Sequence, residues 1–302
     1  MKCAVSSFFE ICDREADGTP LADKLRIGAR GGGFIIERGT ATKACLSEAD
    51  SDLVYINGYS SARAKTTKKV IELFRRKYDL PFVAVSHSVQ PPTGMGFGTS
   101  GSGAIGTALA LTDLFGLNLT LSQASDIAHS AEIDCLTGLG TVISLTSGIG
   151  PAGLVTEPGS FSKGRADSLV FDSAGFVLIC ACFGAIEKST VLLNNEQREK
   201  VNTAGRETLE AILEKKTPEA LLEYSRQFSE NAGLASPELL KLCDTAMELG
   251  AVGATQNMIG NAIHCLVDKR KRDTFTTELA KHLGSAGYVF ESNLATGCPV
   301  LD

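Results

Sequence analysis

The sequence predicts an α+β fold, because strand-like and helix-like segments occur in mixed order rather than in steady alternation. Short β-like runs and glycine-rich turns fill the first half of the chain, and amphipathic helical stretches occur in both halves. A break rich in glycine, proline and serine covers residues 148–164. A chain of 302 residues has the length of two domains of about 150 residues each. We expect these domains to cover residues 1–155 and 156–302.

The first half contains two predicted strands with a helix between them. Leu53–Asn57 and Phe82–Ser86 have strand composition, whereas Arg63–Tyr78 has apolar residues at helical spacing. Seven basic residues lie on this helix, and we interpret them as a solvated face. A second helix is predicted up to about Phe115, and a third over Thr120–Asp134.

The second half begins with two predicted strands and continues with helices. Ser168–Phe171 and Phe176–Phe183 are strand-like and are joined by a turn at residues 172–175. Thr217 and Ser236 each precede a proline and a glutamate, which is typical of a helix start. A glycine cluster then leads into an apolar segment at residues 261–267, and Ala286–Glu291 is a candidate closing strand.

The composition narrows the class of protein. Hydrophobic residues make up 43% of the chain and charged residues 21%, as in typical globular proteins. No apolar run reaches the roughly 20 residues of a membrane-spanning helix. The start, Met1–Val5, leaves no room for the apolar segment of a signal peptide. We therefore expect a cytoplasmic protein with no membrane partner.

Charge and cysteine usage exclude further classes. The net charge of −6 argues against nucleic acid as the main partner, because such partners are usually bound by basic surfaces. The basic run Lys269–Arg272 is bordered by Asp268 and Asp273 and lacks stacking aromatic residues. The nine cysteines include no C-x-x-C pair. We expect reduced, mostly buried thiols rather than a zinc site or a disulfide framework.

The most informative stretch runs from Pro91 to Ala104. Three glycines alternate, hydroxyl residues follow, and a helix is predicted directly afterwards. Glycines let main-chain amides approach an anion, a helix amino terminus attracts phosphate, and a hydroxyl can reach a magnesium ion. No lysine follows the last glycine, which excludes a Walker A loop; a plain turn before a buried helix is the alternative. The predicted nucleotide-binding residues are Gly94, Gly96, Gly98, Thr99, Ser100, Gly101 and Ser102.

This stretch resembles the phosphate-binding motif of the GHMP kinase superfamily, which includes galactokinase and the homoserine, mevalonate and phosphomevalonate kinases. The family pattern is roughly Pro-x-x-x-Gly-Leu-Gly-Ser-Ser-Ala. Within the superfamily, the chain resembles the archaeal pantoate kinases most. Further matching segments follow in order along nearly the whole chain: Phe8–Ile11, Gly28–Gly33, Ala128–Glu132, Thr137–Gly140, Gly253–Ala254 and Met258–Asn261.

The resemblance implies a two-domain fold and a reaction. The expected amino-terminal ATP-binding domain is similar to domain 2 of ribosomal protein S5, and a ferredoxin-like carboxy-terminal domain closes over the cleft. The implied cofactors are ATP and Mg²⁺, and the implied enzyme is a phosphotransferase with an alcohol acceptor. The favoured acceptor is the 4-hydroxyl of pantoate, a small hydroxy acid phosphorylated to 4-phosphopantoate in coenzyme A biosynthesis. A homodimer is expected by analogy only.

The same resemblance assigns roles to single residues. Ser100 and Glu132 take the positions of the family's metal-contacting residues, and a carboxylate suits Mg²⁺. The alternative for Glu132 is an exposed solubilising residue. Arg30 lies among glycines that allow close approach of a ligand, where a guanidinium can hold a carboxylate through two hydrogen bonds; a surface arginine is the alternative. His129 shares a helix face with Glu132, where it would bond the substrate, orient Glu132 or serve the structure alone.

Two positions depart from the family pattern on the acceptor side of the cleft. Thr141 follows Thr-Gly-Leu-Gly, where the family usually has an aspartate that orients or deprotonates the attacking hydroxyl. Lys2–Ser7 replaces Pro-Gly-His-Ile-Thr-Gly. Three hypotheses follow. Positioning suffices for catalysis, with Asp134 as a possible substitute base; the acceptor is another small hydroxy acid; or the chain binds nucleotide with little or no turnover.

Overall fold

The computed structural model describes residues 1–184 and 195–297, so that Cys298 lies outside the described residues. Its framework is two β-sheets of seven and four strands. The strands of the first sheet are β1 (Lys2–Cys12), β2 (Gly28–Leu46), β3 (Leu53–Ile56), β4 (Tyr59–Ser60), β5 (Val83–Val89), β6 (Ala152–Glu157) and β7 (Arg165–Leu169). They have the order β4-β3-β5-β2-β6-β7, and β1 pairs with β2 beside this path.

Strand β2 is the central member of the first sheet. Over its 19 residues it pairs with β1 and β6 through its first half and with β5 through its second half. The glycines at residues 31–33 allow the strands to approach closely: a Cβ at Gly33 would lie 1.9 Å from the carbonyl oxygen of Val5. Residue 30 therefore lies within a paired strand of the sheet.

Four helices belong to this half of the chain: α1 (Lys65–Tyr78), α2 (Thr99–Leu114), α3 (Leu121–Cys135) and α4 (Thr141–Thr146). Helices α1–α3 share one apolar core with β3 and β5, to which Val70, Ile71 and Phe74 of the predicted stripe contribute. Helix α3 begins with the capping box that the sequence indicates, because Thr120 accepts from the amide of Gln123 and the Gln123 side chain accepts from the amide of Thr120.

The second sheet is antiparallel and has the strand order β11-β8-β10-β9. Its elements are β8 (Phe176–Gly184), α5 (Asn195–Lys215), α6 (Pro218–Asn231), α7 (Pro237–Glu248), β9 (Gly253–Gln256), β10 (Asn261–Asp268), α8 (Arg272–Leu283) and β11 (Tyr288–Asn293). Strand and helix order follow the ferredoxin-like βαββαβ scheme, with extra helices between β8 and β9. Thr217 and Ser236 cap α6 and α7 as predicted.

One apolar core joins the two sheets. Alternate residues of β8, including Cys180 and Cys182, pack with β1 and with helices α5 and α6, whereas the opposite face of β8 packs against α7 and α8. Helix α5 crosses β1 so closely that a Cβ at Gly205 would lie 2.3 Å from the carbonyl oxygen of Phe9. The α+β prediction is confirmed. No helix within residues 1–184 and 195–297 has the length and apolar content to cross a membrane.

The middle of the chain connects the first sheet to the second. The two strands predicted on either side of residues 172–175 do not pair with each other, because β7 completes the first sheet and β8 belongs to the second. The turn itself is a short 3-10 helix between them. The boundary placed after residue 155 falls within β6, and sheet membership changes only between Leu169 and Phe176. The division into two domains stays a prediction.

Candidate active site

The glycine-rich loop connects β5 to the start of α2. Gly94, Gly96 and Gly98 have φ values of +76°, +82° and +62°, in the left-handed region that side chains other than glycine disfavour. Space also demands glycine at the last of these positions, since a Cβ at Gly98 would lie 2.8 Å from Cγ2 of Thr141. The alternating glycines therefore shape the main chain.

The loop and the first turn of α2 present a row of main-chain amides. Among the hydrogen bonds of the described residues, none is donated by the amides of residues 93–101, and no side chain caps α2. The next amide, that of Ser102, donates to the carbonyl of Gly98. Unpaired amides at a helix amino terminus form an anion-binding site. A plain turn before a helix leaves the first four or so amides of that helix unpaired, whereas here the unpaired amides extend back to residue 93.

The two predicted metal contacts, Ser100 and Glu132, touch each other. The Ser100 hydroxyl donates to Oε1 of Glu132 over 2.8 Å, and Glu132 is 1% exposed. Gly138 makes room for this carboxylate, because a Cβ there would lie 2.7 Å from both of its oxygens. Glu132 is therefore a buried group beside the amides, not an exposed solubilising residue.

A magnesium ion fits this pair chemically. Mg²⁺ prefers hard oxygen ligands and is commonly held by one or two carboxylates together with substrate phosphates. Across the parts of the chain that the structure describes, no group of three or more histidine, cysteine, aspartate or glutamate side chains forms a metal cage. Ser100 and Glu132 would thus supply only part of a coordination sphere that phosphate oxygens and water complete.

Ser102 differs from the other loop residues. It is fully buried, and its hydroxyl donates to the carbonyl of Met1 over 3.4 Å. Its amide is used within the helix. The structure thus directs Ser102 toward the amino terminus of the chain, while Thr99 and Ser100 lie at the open start of α2.

A cleft of about 540 Å³ lies beside the loop. Its walls are formed by strands β1 and β2, the segment 135–141 and the Met258–Ile259 turn, together with Lys65 and Arg198. Thr141, the first residue of α4, connects cleft and loop: it lines the cleft, and its Cγ2 lies where a Cβ on Gly101 would come within 2.7 Å.

The cleft holds three basic side chains, of which the sequence singled out one. Arg30 forms an ion pair with Glu10, its neighbour across the β1–β2 ladder, with Nε donating over 2.7 Å. Arg198 from α5 pairs with Asp13 at the end of β1. Lys65 at the start of α1 is exposed and forms no ion pair with the described residues. Only the strand register could have indicated Glu10 as the partner of Arg30, and nothing in the sequence pointed to Arg198.

His129 is placed away from the cleft. It is 1% exposed, and its Nε2 lies 2.9 Å from the carbonyl oxygen of Ile27, which can only accept; Nε2 therefore carries the proton. Burial lowers the pKa of His129. The ring fixes the chain before β2 to α3, which favours the structural alternative.

Asp134 is not positioned as a substitute base. It forms ion pairs with Lys24 and Lys69 and does not line the cleft. Burial acts to raise the pKa of Asp134, but the two lysines outweigh it and lower the pKa overall. The carboxylate is thus held ionised on the outside of α3.

The fold and the site have counterparts among known proteins. Residues 65–148 match the GHMP kinases N terminal domain. The chain is 29% identical over 270 residues to a pantoate kinase of Methanocaldococcus jannaschii, covering 88% of this chain and 90% of that one. It is 30% identical over 251 residues to a pantoate kinase of Thermococcus kodakarensis, covering 81% of each.

A solved structure adds to these matches. A phosphotransferase related to the CoA biosynthesis pathway superposes with a TM-score of 0.84 at 25% identity, covering 99% of this chain and 96% of that one. The overlap extends over both sheets, and the matched segment 65–148 contains the glycine-rich loop, Ser100 and Glu132. The chain belongs to the pantoate kinase family of the GHMP kinases.

Proposed function

We propose that this protein transfers the γ-phosphoryl group of ATP to the 4-hydroxyl of pantoate, producing ADP and 4-phosphopantoate for coenzyme A biosynthesis. The observation that carries the proposal is the row of free amides at residues 93–101, with the Ser100–Glu132 pair at its end and a small cleft beyond Thr141. The membership of the pantoate kinase family supports the choice of acceptor.

On the nucleotide side, the loop amides would bind the β- and γ-phosphates, and the positive end of the α2 dipole adds to their attraction. Ser100 and Glu132 would hold Mg²⁺, which when bound neutralises part of the phosphate charge. Because Glu132 is buried and held by α3, it is fixed in place before the nucleotide arrives.

On the acceptor side, the cleft has the volume and the charge for a small hydroxy acid. A volume of about 540 Å³ lies within the usual range for small-molecule pockets. Glu10 takes only part of the donor set of Arg30, so this guanidinium retains donors for an acceptor carboxylate. Lys65 at the cleft wall adds a second cation.

Among the described residues, one carboxylate, that of Asp13, lines the cleft, and the position where the cleft meets the loop has none in its lining. Thr141 occupies that position, and Asp13, which lines the cleft, is paired with Arg198. Phosphoryl transfer proceeds through a loose transition state and depends mainly on positioning and charge stabilisation. We infer that the hydroxyl proton leaves late and that orientation in the cleft carries catalysis.

The proposal is tested by measuring ADP release from Mg·ATP with pantoate, mevalonate, homoserine, shikimate and sugar acids in parallel. We expect pantoate to stimulate release most strongly and phosphorus NMR to identify the 4-phosphate. If another hydroxy acid alone stimulates ADP release, that compound and not pantoate is the acceptor. Nucleotide binding without stimulation by any alcohol would contradict a kinase.

Thr141→Asp tests the missing carboxylate. Aspartate has nearly the size of threonine and would place a base beside the acceptor hydroxyl, so we expect kcat with pantoate to rise by about tenfold or more. Ser147→Ala is the control, because the Ser147 hydroxyl, directly after the end of α4, only bonds the Ile143 carbonyl. A fall in kcat for Thr141→Asp with an unchanged control would show that this cleft is built for threonine.

The predicted homodimer and the cytoplasmic location remain part of this proposal. Analytical ultracentrifugation of the purified chain at micromolar concentration tests the first, with a sedimenting mass near twice 31.8 kDa as the expected result.

A further inference from the structure

The second sheet contacts the glycine-rich loop through one of its turns. The turn between β9 and β10 lies against Met95 and Gly96: Asn257 Nδ2 donates to the Met95 carbonyl over 3.1 Å. A Cβ on Gly260 would lie 2.5 Å from that carbonyl oxygen, and a Cβ on Gly96 would lie 2.8 Å from Cβ of Asn257. The glycines of the loop and of the turn after β9 thus allow the two main chains to lie in direct contact.

The bond to Met95 fixes the direction of an amide in the loop. The Met95 carbonyl and the Gly96 N–H belong to one peptide unit, and in a planar trans peptide they point to opposite sides. Holding the carbonyl toward Asn257 therefore turns the Gly96 N–H away from the second sheet. This N–H has no acceptor among the described residues, as expected of a group kept for a ligand.

The side-chain amide of Asn257 is itself oriented by His264. The Met95 carbonyl only accepts, so the NH₂ group of Asn257 must face it and Oδ1 must face the histidine. Oδ1 lies 2.8 Å from Nδ1 of His264, which must then carry the ring proton and donate. Nε2 is left as an acceptor, and the Ser7 hydroxyl, 2.8 Å away, donates to it.

These three side chains are fully buried and come from separate elements: Ser7 from β1, His264 from β10 and Asn257 from the turn after β9. Each hydrogen bond fixes which atom donates in the next one. The Ser7 hydroxyl donates to His264, His264 donates to Asn257, and Asn257 donates to the Met95 carbonyl. Burial lowers the pKa of His264 to about 3, so the neutral ring with this proton placement persists at neutral pH.

We propose that Ser7, His264 and Asn257 form a positioning relay that holds the Met95–Gly96 peptide so that its amide faces the triphosphate. The relay rests on the proposed function, because it assigns the second sheet a part in presenting the loop to ATP. Asn257 is the positioning residue in direct contact with the loop, and His264 and Ser7 act through it.

Asn257→Asp is the direct test. The shape is kept, but the donor to Met95 becomes a carboxylate oxygen that repels the carbonyl. We expect the Kd for the ATP analogue AMPPNP with Mg²⁺, and the KM for ATP, to rise about tenfold, with the KM for pantoate unchanged within about twofold. A purely structural role would lower the melting temperature without separating the two KM values.

Ser7→Ala provides a second variant in case the first fails to fold. It removes only the far end of the relay and leaves Nε2 of His264 without its donor. We expect a smaller rise, of about threefold, in the same ATP constants. Thr255→Val is the matched control, since Thr255 is fully buried on β9 and its hydroxyl has no hydrogen-bond partner among the described residues. It should leave all constants at wild-type values.

The outcomes separate the relay from the proposed function. If wild-type protein binds AMPPNP and both folded variants bind it equally well, the relay is overturned while the kinase proposal stands. If wild-type protein fails to bind AMPPNP, both are overturned. A rise in ATP constants for both variants, with the control unchanged, supports the relay.

Discussion

Ser100 and Glu132 touch each other, yet they contribute different chemistry. The serine supplies a neutral hydroxyl and the glutamate a buried carboxylate fixed on α3. Mg²⁺ bound beside phosphates depends far more on the carboxylate. Replacing one group therefore distinguishes charge from hydrogen bonding.

We predict that Glu132→Gln lowers kcat by about 100-fold and raises the Mg²⁺ concentration needed for half-maximal rate. Ser100→Ala should have the smaller effect. Ser130→Ala on the same helix is the control, because its hydroxyl only bonds the Asp126 carbonyl. Initial rates across a magnesium series give the answer. An unchanged magnesium dependence in Glu132→Gln would remove this residue from the metal site.

At this scale, the sequence predicted residues within one segment better than residues from different segments. The Ser100 and Glu132 positions followed from local motifs, and both lie at the site. Arg30 lies in the lining of the cleft, but its partner Glu10 lies across a strand ladder whose register depends on the fold. Helix spacing left three roles open for His129, and the bond of its ring to the Ile27 carbonyl favours the structural one.

At the scale of elements, the start of α2 depends on glycine for two separable reasons. Gly98 has positive φ and also lacks room for a Cβ beside Thr141. Gly116, just beyond the other end of α2, has a φ of +59° but open space around it. Substitutions at Gly98 and Gly116 therefore separate the cost of backbone strain from the cost of a steric conflict.

We predict that Gly116→Ala costs about 1–2 kcal/mol of unfolding free energy and leaves the KM for ATP unchanged. Gly98→Ala should cost more, because Thr141 or the loop must move, and should raise the KM for ATP. Urea unfolding and steady-state kinetics measure the two effects. Equal KM values in both variants would show that the loop tolerates displacement.

Elements with local signals were predicted closely, and pairing between elements was not. The start of α3 followed from a capping box, and α6 and α7 from a cap residue before proline. Strands β7 and β8 were both expected, but their assignment to different sheets depends on contacts with β6 and β10, which no short pattern encodes.

At the scale of the whole molecule, three buried histidines couple the fold to pH. Burial lowers the pKa of His87 to about 4 and that of His264 to about 3, and it lowers the pKa of His129. The unfolded chain takes up protons near the ordinary histidine value of 6.5, while the folded chain does not. Stability is therefore complete above that value and falls as the pH drops toward 4.

Below pH 6.5 we predict a loss of unfolding free energy of about 1.4 kcal/mol per pH unit for His87 and for His264, and a further loss of the same sign for His129. Urea titrations between pH 7.5 and pH 4.5 measure the slope. His87→Gln should reduce the slope of unfolding free energy against pH by the contribution of one proton. In the folded chain, the His87 ring is enclosed by the hydroxyls of Thr42 and Thr67. A slope that is the same in wild type and variant would contradict the assignment.

The relay of Ser7, His264 and Asn257 lay beyond sequence reasoning for the same reason that it is informative. Asn257 lies next to the matching segment Met258–Asn261 but outside it, and neither Ser7 nor His264 belongs to a segment that matches the family pattern. The two bonded residues Ser7 and His264 are separated by 257 positions. Only the packing of the second sheet on β1 brings them together.

That separation has a consequence for synthesis in the cell. The glycine-rich loop is translated long before the turn that contacts it, and β1 emerges from the ribosome before any part of the second sheet. A nascent chain that has passed residue 184 can pair β1 with β2, yet it still lacks β9, β10 and the Asn257 contact. Under the proposed relay, the contact that positions the loop for nucleotide is acquired late in translation, and chains truncated before Asn257 are expected to bind nucleotide more weakly than the full chain.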